Sequence, residues 1–334
     1  MDFEKLYSSL PGFIKYNDSI LSMFLGFAKK LRNTDYFKAR EISPDDFKPT
    51  DTLRNIQLFH LELLRFIDNV CDKHNIDYWI TGGTLLGAVR HDGFIPWDDD
   101  VDITFMREDY EKFIEVLPKE INKYDYFKQE CGLTVLMNPV KGFKSVYDFK
   151  GDVNLLNEDR FLFLQLAWLK PYAKIDCFPE DYVLDEKLDY FKKKYRIIKY
   201  KFNEEIREGK VDFEKEFKLR YDELGFTRNK TTFFNDSLDT LNLYPVSLRK
   251  TDEVFPLSAI DFEGYPFKCP KNQDYYLREL FGDNYMGLPE TIVTHNIDPF
   301  IASQFDSKEE MDDKIKKDLL YLRKINDEFN NVKV

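Results

Sequence analysis

The sequence predicts an α+β (α/β) protein in which helices flank a sheet, and three patterns lead to this prediction. Apolar residues recur at helical spacing over 53–71. Short apolar and aromatic runs separated by turns follow over 78–180, as expected for the strands of one sheet. From 183 to 235, Lys and Glu alternate with aromatic and aliphatic residues in a second helical pattern. With 334 residues, the chain suits one catalytic core with additions, or two closely packed domains.

The first helix of the core is expected to begin at Pro49-Thr50-Asp51-Thr52, which combines a proline, a capping hydroxyl and an acidic first turn. Its apolar stripe continues to about Cys71 and should pack on the core. Residues 1–50 are interpreted as an accessory segment that contains a helix at 19–32.

The central segment alternates strands and helices. A strand is expected at 78–81, and Gly82-Gly83 should end it before a helix over 84–89. After a loop, a second strand is expected at 101–105 and a helix at 107–116.

The rest of the chain completes the predicted core. The runs at 133–137, 146–149 and 173–178 are interpreted as further strands of the same sheet. We expect a catalytic domain over 51–300, with a helical insertion at 183–250.

The C-terminal segment, 301–334, is expected to form a helix that closes the core. Ser307 and Glu310 fit the capping box that starts many helices. Apolar residues then follow at helical spacing, namely Met311, Ile315, Leu319, Leu322, Ile325 and Phe329. Such a stripe favours packing on the core over an independent binding role.

The charge of the chain restricts its partners. The formal net charge is -12 and the isoelectric point is about 5.0. A protein that mainly grips nucleic acid usually has a basic surface, so nucleic acid is not an expected partner. An anionic nucleotide is still compatible, because a bound cation inverts the local field.

The four cysteines, Cys71, Cys131, Cys177 and Cys269, are far apart and form no CxxC pair. This spacing is typical of free, buried thiols in a reducing compartment. The N-terminus lacks the features of a signal peptide, and no run approaches the about 20 apolar residues that span a bilayer. The sequence therefore predicts a cytoplasmic protein without a transmembrane segment, and it leaves peripheral association with the inner face of the membrane open.

Four carboxylates lie close together at Asp98, Asp99, Asp100 and Asp102. Along a strand, alternation directs Asp100 and Asp102 to the same face, with Val101 pointing the other way. Converging carboxylate oxygens suit Mg²⁺ or Mn²⁺, and such a metal can bind nucleotide phosphates. On its own, the cluster could equally be a solvated acidic turn before a strand.

Gly82-Gly83-Thr84 lies where the predicted strand meets the predicted helix. Glycines there let the backbone approach a phosphate, and the N–H groups at a helix start favour anions. Thr84 adds a hydroxyl. A glycine pair is often only a turn, but a phosphate loop followed by a D-x-D strand is a much more specific combination.

Arg90 and His91 lie between the two motifs. Arg90 could clamp a phosphate through two hydrogen bonds, and His91 could donate to a phosphate oxygen or protonate a leaving group. Either could instead hold the loop in place. Trp97 is interpreted as packing for the loop rather than as a nucleotide stacker.

The segment GGTLLGAVRHDGFIPWDDDVDI, residues 82–103, resembles the LicD family, which includes bacterial phosphocholine transferases and the fukutin-related proteins. The resemblance extends to KIDCFPED at 174–181, to residues 255–290 and to His295. It is weakest over the helical insertion, and it does not cover the N-terminal 50 residues or the C-terminal end.

The resemblance implies a nucleotidyltransferase-like mixed-sheet core. It also implies transfer of a phospho-substituent, most readily phosphocholine, from a CDP-linked donor to a hydroxyl of a cell-surface glycan or glycolipid, with release of CMP. The implied cofactor is Mg²⁺ or Mn²⁺.

In this family pattern, Asp100 and Asp102 are the expected metal ligands and Asp98 is a supporting catalytic carboxylate. Cores of this kind take a third carboxylate from a later strand, and Asp176 fits that place. It would complete the metal shell or act as the base on the acceptor hydroxyl. The alternative for Asp176 is an ion pair with Lys174 at a strand end.

The downstream block offers further candidates for substrate contact in Asp283, Tyr285 and His295. Tyr276 and its neighbours are expected to support the fold and to shape the acceptor side. Cys177 stands where the family usually has an aliphatic residue. It is not expected to be a nucleophile, since no histidine neighbour is evident.

Three other functions compete with this hypothesis. A glycosyltransferase also uses D-x-D to hold a metal-bound nucleotide, but it releases a nucleoside diphosphate. A direct nucleotidyltransferase releases pyrophosphate. A non-catalytic binding module is the third, and it is disfavoured because Asp98, Asp100, Asp102 and Asp176 are all present.

Overall fold

The structure is a computed structural model. It describes residues 37–40, 44, 47–129, 134–136, 164–168, 173–207, 211–240, 246–289, 292–295 and 305–332. The helix expected at 19–32 and the strand expected at 146–149 lie outside these residues, as does Cys131.

The helices of the described residues surround the sheet. They are α1 (Asp51–His74), α2 (Gly82–His91), α3 (Arg107–Ile121), α4 (Asp125–Gln129), α5 (Leu188–Arg207), α6 (Phe213–Leu224), α7 (Thr251–Val254), α8 (Gln273–Phe281) and α9 (Lys308–Val332). A short 3-10 helix spans Asp185–Lys187.

The strands are mostly short. They are β1 (Phe37–Arg40), β2 (Trp79–Ile80), β3 (Asp100–Met106), β4 (Thr134–Leu136), β5 (Leu164–Trp168), β6 (Ala173–Val183), β7 (Phe226–Thr227), β8 (Phe233–Asp236), β9 (Arg249–Lys250), β10 (Ser258–Phe262), β11 (Tyr265–Cys269) and β12 (Ile292–His295).

Eight of the described strands form one mixed sheet, with the order β2-β3-β6-β5-β4 along its main path. The β3–β6 pair is parallel, whereas β2, β5 and β4 join antiparallel to their neighbours. The far end of β6 pairs with β7 and β8, and β9 extends β8. Two smaller antiparallel pairs, β1–β12 and β10–β11, lie apart from this sheet. The predicted mixed sheet flanked by helices is therefore confirmed.

Helix α1 illustrates why the local prediction succeeds. Its cap is Thr50, whose Oγ1 accepts a hydrogen bond from the Leu53 N–H at 3.2 Å. Asn75 ends the helix in the left-handed conformation, with φ of 51°. Between them, the apolar stripe is buried in the main core. The helix ends at His74, three residues beyond Cys71, where the exposed last turn meets the left-handed Asn75.

Strand β3 separates two environments. Val101, Ile103 and Phe105 are fully buried and face helix α3, where the Phe105 ring stacks on Phe113 with centroids 4.7 Å apart. The alternate residues Asp100 and Asp102 face the other way. One face of the sheet therefore builds the core, and the other is left for polar chemistry.

Helix α2 begins earlier than expected. Gly82 and Gly83 are its first residues, and the first helical hydrogen bond runs from the Leu85 N–H to the Thr81 carbonyl at 3.0 Å. Gly82 accomplishes the change of direction with φ of +54°, which is accessible to glycine at little cost. The glycines therefore start the helix rather than separate it from the strand.

The segment 183–235 is helical only in part. It contains α5 and α6, but also β7 and β8, which extend the sheet from the end of β6. The aromatic residues that seemed to belong to a helical pattern here include strand residues, because aromatics suit both kinds of surface. This region has its own apolar cluster, built from Val183, Phe191, Tyr195, Phe202, Phe213, Leu224, Phe226, Leu238 and Leu248.

Helix α9 begins as the capping motif predicted. Ser307 Oγ accepts from the Glu310 N–H at 3.1 Å. The Glu310 carboxylate returns to the Asp306 N–H at 2.9 Å, one residue before the usual position in a capping box. The helix packs along α1, where the Asn326 amide donates to the Glu62 carbonyl at 2.8 Å. Within the described ranges, no helix is both long and apolar enough to cross a bilayer.

Candidate metal and phosphate site

The register of the parallel pair β3–β6 brings the candidate ligands together. Asp102 lies opposite Asp176, and Asp100 lies opposite Lys174. Because side chains alternate along both strands, the three carboxylates share one face of the sheet. One oxygen from each of Asp100, Asp102 and Asp176 lies within 4.8 Å of the others.

These three residues fit a divalent cation. Mg²⁺ and Mn²⁺ prefer carboxylate oxygens, and three carboxylates this close repel one another without a compensating charge. Asp176 is buried, with 5% of its surface exposed, whereas Asp100 and Asp102 are half-buried. The sheet therefore covers one side of the carboxylate cluster, and a ligand can reach the cluster from the other side.

Asp98 lies beside this cluster. Burial raises the pKa of the Asp98 carboxyl well above its usual range, and the nearby charges of Asp100, Asp99 and Asp102 raise it further. The loop that carries Asp98 is anchored through its backbone, since Gln57 Nε2 donates to the Asp98 carbonyl at 2.8 Å. Asp98 therefore lies close to the three candidate ligands, and its role as a supporting carboxylate stays a prediction.

The first turn of α2 lies directly against these carboxylates. A Cβ on Gly82 would collide with the carboxylate of Asp102, and a Cβ on Gly83 would lie 2.7 Å from Asp98 Oδ2. The Gly83 N–H points to Asp102 Oδ2 at 3.4 Å. The glycine pair therefore lets a helix N-terminus approach the carboxylate cluster, which puts N–H groups and the candidate cation site on the same small surface.

The Thr84 side chain contacts the backbone of Asp102. Its Oγ1 accepts from the Asp102 N–H at 2.8 Å, and the Thr81 N–H donates to the Asp102 carbonyl at 3.0 Å. The peptide groups on both sides of Asp102 are thereby fixed to the turn. The Thr84 side chain is buried, so its most direct effect is on the orientation of Asp102.

The contacts of Arg90 favour the interpretation that it holds a loop. Arg90 Nη1 donates to the carbonyls of Tyr285 at 3.2 Å and Gly287 at 3.1 Å. Arg90 Nε donates to His91 Nε2 at 3.0 Å. Burial and then the Arg90 charge lower the pKa of His91, although Asp92 opposes them. Because Nε2 accepts from Arg90, the proton of a neutral His91 ring lies on Nδ1.

Trp97 packs as expected for a loop support. Its ring makes edge contacts with Phe47, at 6.1 Å between centroids, and with His91, at 6.3 Å. These contacts favour packing over nucleotide stacking.

The remaining candidates are distributed around the fold. Tyr285 donates its hydroxyl to Asp274 Oδ1 at 2.8 Å, and the exposed Asp283 pairs with Arg278. His295 pairs through its backbone with Phe37 in the β1–β12 ribbon, and its side chain lies outside the described part.

Cys177 is fully buried beneath the site. Its burial raises the pKa of the thiol well above the usual range, with a further contribution from Asp176. A nucleophilic role is therefore disfavoured, as predicted. Among the described cysteines, Cys71, Cys177 and Cys269 are all free and buried.

One support of the acidic loop had no signal in the sequence. The Glu263 carboxylate accepts from Arg54 Nη1 at 2.9 Å and Nη2 at 2.6 Å, and also from the Phe94 N–H at 3.2 Å. Glu263 sits in the turn of the β10–β11 hairpin, and its N–H donates to the Asp92 carbonyl at 3.1 Å. A hairpin far along the chain therefore fixes the loop that leads into β3.

A second unpredicted feature is a buried polar network on the metal-ligand face of the sheet. Glu180 Oε1 accepts from Thr104 Oγ1 at 3.1 Å and pairs with Arg249 Nη2 at 3.0 Å. Tyr276 Oη donates to the same oxygen at 3.4 Å. Burial raises the pKa of Glu180 to about 7, although the Arg249 charge opposes this. The network extends the polar face from the carboxylate cluster into the protein.

Three converging carboxylates on adjacent strands face a glycine turn at a helix start, which agrees with the nucleotidyltransferase-like core that the resemblance implies. Residues 75–185 match the family model described as LicD/FKTN/FKRP, nucleotidyltransferase domain. The predicted resemblance to the LicD family is therefore confirmed for this segment.

Curated relatives support the same family. The chain is 34% identical over 102 residues to the lipopolysaccharide cholinephosphotransferase LicD of Haemophilus influenzae, covering 30% of this chain and 38% of that protein. It is 46% identical over 48 residues to the ribitol 5-phosphate transferase FKRP of Mus musculus, covering 14% of this chain and 10% of that protein. It is also 33% identical over 145 residues to the uncharacterized protein RT0683 of Rickettsia typhi, covering 42% of this chain and 38% of that protein. The matched segments thus span less than half the length of each relative.

Proposed function

We propose that this protein is a divalent-metal-dependent transferase that moves a phospho-substituent from a CDP-linked donor to a hydroxyl of a glycan or glycolipid, with release of CMP. The observation that carries the proposal is the placement of Asp100, Asp102 and Asp176 against the first turn of α2. Two relatives named as a cholinephosphotransferase and a ribitol 5-phosphate transferase support this reaction class. In this proposal residues 51–300 form the catalytic domain, and 183–250 form its insertion.

The proposed site has two parts on one surface, a metal-binding part and a phosphate-binding part. Asp100, Asp102 and Asp176 would hold Mg²⁺ or Mn²⁺, which when bound neutralises charge on the phosphates of the donor. The N–H groups at the start of α2 would face the same phosphates. Asp102 connects the two sides, because Thr84 and Thr81 fix its peptide groups to the turn.

The reaction is a displacement at phosphorus. The acceptor hydroxyl oxygen forms a bond to the phosphorus that carries the choline or polyol. The bond from that phosphorus to the CMP oxygen breaks, and CMP leaves with the electron pair. A carboxylate of the cluster accepts the hydroxyl proton. Asp176 is the candidate for this role if Asp100 and Asp102 suffice to hold the cation.

Phosphocholine is the first substituent to test. The relative named as a cholinephosphotransferase matches 30% of this chain, whereas the relative named as a ribitol 5-phosphate transferase matches 14%. The acceptor is proposed only as a class, since a hydroxyl on a glycan or glycolipid satisfies the same chemistry.

Product analysis tests the proposal. The purified protein is incubated with Mn²⁺ and, in separate reactions, with CDP-choline, CDP-ribitol or CDP-glycerol plus a glycan extract. We expect metal-dependent CMP release with one of these donors and its loss in Asp100→Asn. Asp313→Asn is a matched control, because Asp313 is an exposed carboxylate on α9, outside the proposed catalytic domain.

The other hypotheses give different products. Release of a nucleoside diphosphate from a sugar nucleotide would indicate a glycosyltransferase, and release of pyrophosphate from CTP would indicate direct nucleotidyl transfer. If calorimetry detects no metal-dependent binding of any of these nucleotides, the proposal fails. Full activity in Asp100→Asn would overturn the metal assignment.

A further inference from the structure

The residue that precedes α2 does not cap it in the usual way. Thr81 occupies the N-cap position, where a threonine hydroxyl normally accepts from an N–H in the first turn. Its hydroxyl makes no such hydrogen bond. In contrast, Thr50 caps α1 through the Leu53 N–H at 3.2 Å, and Asp212 caps α6 through the Lys215 N–H at 2.8 Å.

The Thr81 hydroxyl is directed to Tyr276 instead. The Thr81 Oγ1 atom lies 3.0 Å from Tyr276 Oη, on helix α8. Tyr276 is fully buried, and its oxygen also accepts from Trp79 Nε1 at 3.1 Å. Either hydroxyl can donate in this hydrogen bond, and Thr81 is the donor where Tyr276 gives its single proton to Glu180 Oε1 at 3.4 Å.

The tyrosine is itself held in place. Glu180 Oε1, its acceptor, is fixed by Thr104 at 3.1 Å and by Arg249 at 3.0 Å. All of these groups are buried, so water does not compete for these hydrogen bonds. The orientation of the Thr81 hydroxyl is therefore set by a network that extends away from the carboxylate cluster.

This arrangement has a consequence at the start of α2. The Gly83 N–H points to Asp102 Oδ2 at 3.4 Å, so the Thr84 N–H is the capping target that Thr81, turned away, does not cover. We infer that Tyr276 is a positioning residue, which holds the Thr81 hydroxyl aside so that the Thr84 N–H in the first turn of α2 stays open to a phosphate. The inference rests on the proposed function, because it assumes that this turn faces the phosphates of the donor.

The first test uses CDP as the probe in the presence of Mn²⁺. In Tyr276→Phe the released Thr81 hydroxyl is free to rotate and cap the Thr84 N–H, which then competes with phosphate. We expect the affinity for CDP, measured by calorimetry, to fall roughly three- to tenfold, which corresponds to one helix cap. In the double variant Tyr276→Phe/Thr81→Val no hydroxyl remains to form the cap, so the affinity should return to within about twofold of wild type.

A purely structural role for Tyr276 predicts another pattern. If the double variant binds CDP no better than Tyr276→Phe, or if Tyr276→Phe binds as wild type does, the inference is overturned. Thr81→Val with Tyr276 intact gives a check that does not need the phenylalanine variant to fold. In Thr81→Val the affinity for CDP should stay within about threefold of wild type, which is less than the effect of one helix cap. A larger loss of CDP affinity would also overturn the inference.

A second readout separates this inference from the proposed function. Hydrogen exchange of the Thr84 amide, followed by NMR of protein labelled with ¹⁵N-threonine, reports the cap without any nucleotide. It should slow in Tyr276→Phe and recover in the double variant. If wild type binds no CDP with Mn²⁺, the proposed function fails. The exchange rates of the Thr84 amide then test the positioning role of Tyr276 on their own. Unchanged exchange in Tyr276→Phe would overturn the positioning role.

Discussion

Asp102 and Asp176 lie directly opposite each other on neighbouring parallel strands, although they are 74 positions apart in the sequence. A shift of this register by one residue would turn Asp176 to the other face of the sheet, into the core. The β3–β6 pairing therefore decides whether a third carboxylate joins Asp100 and Asp102. The candidate site depends on the sheet as much as on the acidic motif itself.

The start of α2 gives a prediction about Gly82. In Gly82→Ala, the added Cβ meets the Asp102 carboxylate, and the φ of +54° is unfavourable for alanine. We expect metal-dependent CMP release to fall at least about 100-fold, since a displacement of about 1 Å in such a site has that effect. Turnover with CDP-choline or the active donor measures it.

Gly264→Ala is the matched control for this substitution. Gly264 has φ of +81°, but a Cβ there would meet nothing within 4 Å. It should lower the free energy of unfolding by about 1 kcal/mol while leaving CMP release unchanged. Equal losses of activity in both variants would show that backbone strain, rather than the contact with Asp102, explains the effect.

The second prediction concerns the buried Arg107. Its guanidinium binds Asp181 at 2.8 Å and Asp239 at 2.7 Å, so it links α3 to β6 and to the segment after β8. The variant Arg107→Met leaves two buried carboxylates without their cation, and it should lower the free energy of unfolding by about 3–5 kcal/mol. Urea denaturation measures this change.

An exposed arginine provides the comparison. Arg228 makes two hydrogen bonds to Glu111 on α3, at 2.8 and 2.7 Å, but both side chains are about half exposed. We expect Arg228→Met to cost at most about 1 kcal/mol. If both variants lose the same stability, burial is not what makes the Arg107 cluster important.

The third prediction is a pH dependence at Glu120. This buried carboxylate would have a raised pKa from burial alone, but hydrogen bonds from Lys123, His74 and Lys73 lower the pKa of Glu120 to about 2. Because the folded pKa lies below the ordinary value of 4.5, the stabilisation is present above pH 4.5 and is lost as the pH falls towards 2. Glu120→Gln should therefore be less stable at pH 6, by at most about 3 kcal/mol, and the difference should shrink as the pH falls.

Denaturation from pH 6 down to pH 3 measures this difference. Glu115→Gln serves as the control, since Glu115 pairs with Lys119 on the exposed side of the same helix. That variant should change the unfolding midpoint little at any pH. A Glu120 difference that stays constant as the pH falls would show that the carboxylate charge is not the cause.

The sequence predicted the local parts of the site well. Alternation along β3 directs Asp100 and Asp102 to one face, and the structure has that arrangement. The helix over 53–71 was predicted because its capping threonine and apolar stripe are both local signals. Asp176 was placed beside them only through the family resemblance, since no local pattern specifies which strands become neighbours.

The residues that hold the site in place, Glu263 and Tyr276, could not be matched to their partners from local patterns. Glu263 reaches the Phe94 N–H, and Tyr276 reaches Thr81, across long stretches of chain. Such pairs depend on tertiary packing. The resemblance indicated that Tyr276 supports the fold, but no local pattern indicates which residues Tyr276 and Glu263 contact. The strands β7 and β8 were missed because aromatic residues within a helical pattern also suit a sheet.

We propose that Asp100, Asp102 and Asp176 together hold one divalent cation. Electron paramagnetic resonance titration of Mn²⁺ tests it most directly, using wild type, Asp176→Asn and the exposed control Asp313→Asn. We predict one bound Mn²⁺ per chain in wild type and in Asp313→Asn, and at least about tenfold weaker binding in Asp176→Asn because a charged ligand is lost. Equal Mn²⁺ affinity in all three proteins, or no binding in wild type with CDP present, would contradict this claim.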